Sequence, residues 1–195
     1  MKLEQAVLEG VRVRLVPLAR EHAAGIYEAA QDEAIWTYLP YAIDSLERAE
    51  YFVEETLKRV EQGVDLAFVV IDKETDRIIG STRYLDISIP GKSLEIGWTW
   101  YHPSVWRSRV NTECKYLLLR HAFEALGFIR VQIKTDVRNE RSQNAIARLG
   151  AVREGVLRNH MIMSNGYVRD TVFFSVIDRE WPDVKVRLEI FLNNE

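Results

Sequence analysis

The chain has 195 residues, of which 47% are hydrophobic and 28% charged, with a formal net charge of −3. That length suits one domain (1–195) with a full core, and the slight negative charge argues against nucleic acid as a partner. A single cysteine, Cys114, excludes an internal disulfide, no Cys/His spacing resembles a zinc site, and no apolar run is long enough to span a bilayer.

Met1-Lys-Leu-Glu-Gln5 carries charge early and lacks the apolar core of a secretion signal, so a soluble, cytoplasmic protein is expected. Val11 to Val16 alternates apolar with basic residues, the period of a half-buried strand, and Pro17 ends it. Ala19 to Ala30 has helix-forming composition around a single Gly25. The aromatic, proline-broken stretch Ile35 to Tyr41 reads as a loop or a short helical turn. Asp44-Ser-Leu-Glu47 is a carboxylate variant of the capping box. Behind it Leu46, Ala49, Val53, Leu57 and Val60 recur at helical spacing up to Gly63.

Strands follow at Leu66 to Ile71 and Ile78 to Ile87, joined by the charged turn Asp72 to Arg77. After Pro90-Gly91 a third runs from Leu94 to Tyr101. A helix is expected from about Thr112 to Leu126, closed by Gly127. Ile129, Val131, Ile133 and Thr135 then alternate with polar residues as a strand. Asn139 to Leu149 forms a short helix stopped by Gly150. Two strands, near Glu154 to Met163 and Thr171 to Ile177, flank the turn Ser164-Asn-Gly166. The stretch from Glu180 to Leu192 reads as helical, with Pro182 tolerated in its first turn. The order β-α-α-β-β-β-α-β-α-β-β implies a mixed α/β (α+β) domain, with helices packed on a central sheet of about seven strands.

The stretch His102 to Lys115 carries the chemistry most plainly. A strand ends in a basic, small-residue turn that opens a helix. Backbone N–H groups of a first helical turn have no intrahelical partner, and the helix dipole favours an anion there. Arg107 and Arg109 add positive charge, so the turn suits a pyrophosphate.

The chain resembles the GNAT superfamily of acyl-CoA-dependent N-acetyltransferases, and more narrowly the branch holding the ribosomal-protein N-terminal acetyltransferases. The matches are Glu95-Ile-Gly-Trp-Thr-Trp100, Asn111-Thr-Glu-Cys-Lys-Tyr-Leu-Leu-Leu119, Asn139-Glu-Arg-Ser142 and Leu149-Gly-Ala151. Glu154-Gly-Val-Leu-Arg158, Arg169-Asp170 and Phe174-Ser175 extend them over nearly the whole chain. The resemblance implies transfer of an acetyl group from acetyl-CoA to a primary amine, either a small molecule or a peptide N-terminus, by direct attack in a ternary complex. It leaves room for a homodimer through the late strands or the C-terminal helix. The alternative is a binding module that keeps the fold and has lost turnover.

Carried over, Arg107, Ser108, Arg109, Val110, Asn111 and Thr112 form the CoA turn, and Trp100 and Tyr101 accompany the pantetheine arm. Arg109 stands where the family usually places glycine, and Asn111 where it places glycine or alanine. Asn139 and Ser142 fall near the cofactor sulfur. Ser142 inherits the role of leaving-group acid because Ile146 stands where many relatives have a tyrosine. For the base, strand alternation puts Leu94, Ile96, Trp98 and Trp100 on one face and Glu95, Gly97, Thr99 and Tyr101 on the other. Glu95 is the favoured carboxylate, with His102 and His160 behind it. The acceptor pocket is expected to be walled by Trp36, Tyr38, Arg83, Tyr84, Arg158 and His160, and Cys114 to be a packing residue.

Overall fold

A computed structural model describes residue 3 and residues 5–194. Met1, Lys2 and Glu4, part of the stretch bearing on a secretion signal, lie outside them, as does Glu195. In chain order the elements are β1 (Leu8–Glu9), β2 (Val13–Pro17), α1 (Ala23–Ala29), α2 (Leu46–Glu61), β3 (Leu66–Asp72), β4 (Arg77–Ser88) and β5 (Ser93–Tyr101). They continue with α3 (Val110–Arg120), β6 (Arg130–Asp136), α4 (Glu140–Leu149), β7 (Val152–Ile162), β8 (Val168–Ile177) and α5 (Trp181–Asn194). No helix among the described residues is long and apolar enough to cross a membrane.

Eight strands make one mixed sheet in the order β1-β2-β3-β4-β5-β6-β8-β7. The strand beyond the expected seven is β1, whose two residues are too few to show a period. Each face of the sheet buries its own core. Leu66, Phe68 and Val70 of β3 pack with Leu117 and Leu118 of α3, Leu149 of α4 and Leu188 of α5. Ala67 and Val69, on the opposite face, pack with Ile26 of α1 and with Phe52 and Val53 of α2. Burial on both faces explains why β3 is apolar throughout rather than alternating.

Several boundaries differ from the sequence expectation. The cap of α2 is Ser45 rather than Asp44, its hydroxyl accepting from the Arg48 N–H at 3.2 Å. Helix α3 starts at Val110, two residues before Thr112. Ser108 does the work of a cap there, donating to the Val105 carbonyl at 2.6 Å and accepting from the Val110 N–H at 3.3 Å. Past Arg120 the helix widens into a π turn over His121–Ala125. Strand β8 begins at Val168, before Thr171.

The departure that matters for function is in β5. Ser81 pairs with Trp100 and Arg83 with Gly97, so two steps along β4 oppose three along β5. The extra residue is accommodated at Trp98, which takes a left-handed φ of +49°. Across from it Gly80 lets the strands close up: a Cβ there would sit 2.2 Å from the Trp100 carbonyl oxygen. A bulge reverses side-chain parity, so the expected alternation holds only through Ile96. Beyond it Trp100 lies in the core under α1 and α2, while Tyr101 joins Leu94 and Ile96 in the other.

Candidate active site

Among the described residues β5 and β6 are the only parallel neighbours in the sheet, and they pair only over Ser93–Glu95 against Arg130–Gln132. From Ile96 onward the β6-facing backbone of β5 has no strand partner, and the two strands part. The parting opens a cleft of about 830 Å³ that reaches both faces of the sheet. On one side it is lined by Ser108, Asn111 and Thr112 at the start of α3 and by Asn139 and Ser142 at the start of α4. On the other it is lined by Tyr38, Leu39, Glu95, Lys134, Met161 and Arg169.

At the phosphate-friendly turn Arg107 holds the left-handed backbone, with φ +59°. Arg109 is helical, with φ −63° and ψ −15°. A side chain where the family resemblance leads one to expect glycine therefore carries no backbone strain at Arg109. Its guanidinium does not line the cleft and keeps its Nε buried without a hydrogen-bond partner. Val110 is buried in the core. Beside the starts of α3 and α4, guanidinium groups on the cleft come instead from Arg107, Arg141 and Arg148. Arg141 stacks on the Trp106 ring at 4.2 Å, and Arg148 donates to the Thr112 hydroxyl at 2.6 Å. Sequence reasoning missed the two α4 arginines because the turn between β6 and α4 has to bring them beside α3.

Asn139 caps α4, accepting from the Ser142 N–H at 3.0 Å. Ser142 itself is therefore not the cap, and its hydroxyl stays outside the capping bond on the cleft wall. Glu95 is 1% exposed on the face opposite Leu94 and Ile96. It accepts from Gln132 Nε2 at 2.9 Å and pairs with Lys134 Nζ at 3.0 Å. Burial pushes its pKa above the usual carboxylate range, and Lys134 and Gln132 oppose that shift only in part. Gly97 preserves room for it, because a Cβ there would stand 2.9 Å from Glu95 Oε1.

Of the residues expected to wall the acceptor pocket, Tyr38 lines the cleft. Trp36 sits behind it, donating to the Ala30 carbonyl at 2.9 Å and packing on Trp100 at 5.4 Å between ring centres. Arg83 does not reach the cleft. It is buried against Asp65 at 3.2 Å and Thr56 at 3.0 Å, between the rings of Phe52 and Trp98. Tyr84 is fully buried on the other face and donates to the Leu118 carbonyl at 2.6 Å. His160 turns to Thr171 at 3.1 Å and to the Phe173 ring. His102 is occupied in its own turn, where Nδ1 accepts from the Ser104 N–H at 3.2 Å. Trp100 and Tyr101 of β5 line the cleft.

Three groups on the cleft escape a sequence reading. Lys115, 5% exposed, donates to Thr99 Oγ1 at 2.8 Å, and Thr99 in turn meets Thr82 Oγ1 at 2.7 Å. Burial pushes this lysine down to about 8. Met161 and Arg169 oppose each other across β7 and β8. Parity along β8, with Val172 and Phe174 in the core, is the one signal that aims Arg169 at the opposite face. Cys114 is fully buried with its thiol pushed up to about 12, the opposite of the exposed, low-pKa setting of a reactive cysteine.

Comparison with known proteins agrees with this geometry. Residues 12–152 match the family model of the acetyltransferase (GNAT) domain. YoaA of Bacillus subtilis (strain 168), an uncharacterized N-acetyltransferase, is 23% identical over 88% of this chain and 96% of its own length. A GCN5-related N-acetyltransferase from Brucella melitensis superposes with a TM-score of 0.91 at 29% identity, covering 98% of this chain and 87% of its own. Mycobacterium smegmatis RimJ, solved in complex with CoA-disulfide, shares the fold with a TM-score of 0.81 at 20% identity over 95% of this chain and 91% of its own. With the family model spanning most of its length and the parted strands at its centre, the chain belongs to the GNAT family of acetyltransferases.

Proposed function

We propose that this protein transfers an acetyl group from acetyl-CoA directly to a primary amine, on a small molecule or a peptide N-terminus. One observation carries the proposal. A single cleft through the sheet joins the start of α3, whose free amides suit an anion, on one face to a buried carboxylate on the other. The cofactor bound in the RimJ structure is in keeping with that helix start.

The residues present fit CoA. The first-turn amides of α3, with Ser108, Asn111, Thr112 and the guanidinium of Arg107, are suited to a pyrophosphate. The edge of β5 that no strand covers, from Trp98 to Tyr101, can hold an extended amide arm as an added strand would, although the Tyr101 carbonyl already accepts from Trp106 Nε1 at 2.8 Å. When bound, acetyl-CoA supplies the activated thioester. The chain's own groups then orient the partners and manage protons.

Glu95 takes the proton of the incoming ammonium, directly or through a water, and the burial that raises its pKa makes it a stronger proton acceptor than an exposed carboxylate. Lys134 and Gln132 fix the carboxylate's orientation. A backbone N–H near Tyr101 would stabilise the negative charge that develops on the thioester oxygen. After attack the nitrogen gives up its second proton as the C–S bond breaks, and the hydroxyl of Ser142 passes a proton to the departing sulfur while taking that one back, so the serine ends as it began.

Two measurements test this. Saturating acetyl-CoA should raise Tm by mass action, and a thiol-release assay over amines and peptide N-termini should show turnover. A Tm shift with no release for any acceptor would favour a CoA-binding module without turnover. No shift at all would remove the cofactor assignment.

A further inference from the structure

On the face of the cleft that holds Glu95, Arg169 is 7% exposed, yet its Nε is buried with no hydrogen-bond partner. Its cross-strand neighbour is Met161, which offers no acid. The carboxylates nearest in charge are already engaged. Asp136 accepts from the N–H, Nε and Nη2 of Arg138 at 2.9, 3.1 and 2.9 Å. Glu95 is held by Lys134 and Gln132. Among the described residues no carboxylate lies within ion-pair distance of Arg169. A desolvated guanidinium is an unfavourable arrangement unless something completes it, and this one lines the cleft.

We infer that Arg169 is the docking point for a carboxylate carried by the acceptor amine. The inference rests on the acetyltransferase reading, since it assigns the acceptor's second functional group. A guanidinium fork matches the two oxygens of a carboxylate in one plane. A phosphate dianion would call for more than one uncommitted cation, and Lys134 is spent on Glu95. Arg169 and Glu95 lie on one face of one cleft, so ammonium and carboxylate belong to one small unit. That unit is either a free amino acid or the acidic first residue of a peptide. The phosphates of CoA are not competitors for this position, because the turn suited to them is on the opposite face of the sheet.

The test is calorimetric binding to protein saturated with CoA, using matched pairs of probes. Free glutamate and alanine are compared with their α-amides, and peptides beginning with Asp or Glu with those beginning with Asn or Gln. In one of the two sets the carboxylate member should bind about tenfold tighter or better, and that set identifies the source. Arg169→Gln and Arg169→Met should erase the preference and leave CoA affinity within about twofold. Because the guanidinium is not satisfied by the chain, neither variant should melt below the wild type. Equal binding within both sets would overturn the inference. So would a preference that survives both substitutions, or a marked fall in Tm on removing the side chain. A carboxylate preference that depends on Arg169 in a protein releasing no thiol would uphold this subsite and remove the transfer reaction instead.

Discussion

Glu113 of α3 offers the clearest perturbation of the framework beneath the site. Its carboxylate, 2% exposed, accepts the backbone N–H of Val11, of Arg12 at 3.0 Å and of Val13 at 3.2 Å, and so pins the β1–β2 turn to the helix that opens at the cofactor turn. Gly10 is shaped to this contact, since a Cβ there would stand 2.5 Å from Glu113 Oε1. Glu113→Ala leaves three donors without an acceptor. A hydrogen bond to a charged group contributes roughly 1.5–3 kcal/mol when buried. Only the Val13 donor is fully buried, and water can partly replace the acceptor at Val11 and Arg12. About 2 kcal/mol for the buried donor and about 1 for each of the others gives about 4 kcal/mol. For a chain of this size that is a fall in Tm of roughly 8–16 °C, readable by calorimetry or circular dichroism. Glu113→Gln should lose about half as much. Glu113 does not line the cleft, so the rise in Tm on adding acetyl-CoA should keep its size. A fall below about 3 °C for the alanine variant would refute the reasoning.

Glu95→Gln should lower kcat/KM by about 10²–10⁴-fold. Since the base acts deprotonated, wild-type activity should decline as pH drops through the raised pKa of Glu95. The glutamine variant should show no such acid limb; an unchanged rate with an unchanged limb would remove Glu95 from the role. Ser142→Ala should slow acetyl transfer by about 10–100-fold in single-turnover experiments while leaving CoA affinity alone. An unaltered transfer rate would mean that the proton comes from elsewhere. Lys115 is held at about 8, below its ordinary 10.5. The folded protein therefore gives up this proton before the unfolded chain does, so wild-type stability rises between pH 8 and pH 10.5 and the cation is penalised below that window. At pH 7 Lys115→Met should be more stable by up to about 2–3 kcal/mol, after allowing for its lost bond to Thr99. That advantage should shrink by pH 10 in urea titrations. A less stable variant, with a deficit that does not change with pH, would contradict the account.

Much of this architecture is legible in the residues. Val131 and Ile133 alternate cleanly because β6 buries one face. Asn139 and Gly150 bracket α4 as cap and left-handed stop, the latter with φ +103°. Local signals of this kind need only a few neighbours. The site depends on pairings that no local window contains. Trp98 gives no hint of the bulge, because an extra residue is defined only against β4. Arg83 looks like a cleft cation until its partner Asp65, eighteen positions earlier on another segment, is found beside it. Arg169 looks like an ordinary strand arginine until every nearby acid proves to be engaged. The phosphate turn could be recognised because its helix start follows its strand directly. The far side of the cleft draws on five separate segments, the stretch before α2 and strands β5, β6, β7 and β8, which only the fold brings together.

Direct attack across the sheet is the central claim, and two-substrate initial-rate kinetics tests it most directly. With acetyl-CoA and a productive amine both varied, double-reciprocal lines should intersect. Intact-mass analysis of enzyme incubated with acetyl-CoA alone should show no added acetyl group, in keeping with a Cys114 thiol that is buried and pushed up to about 12. Parallel lines together with a stoichiometric acetylated enzyme would mean a ping-pong route through a covalent intermediate, and the direct-transfer account would be wrong.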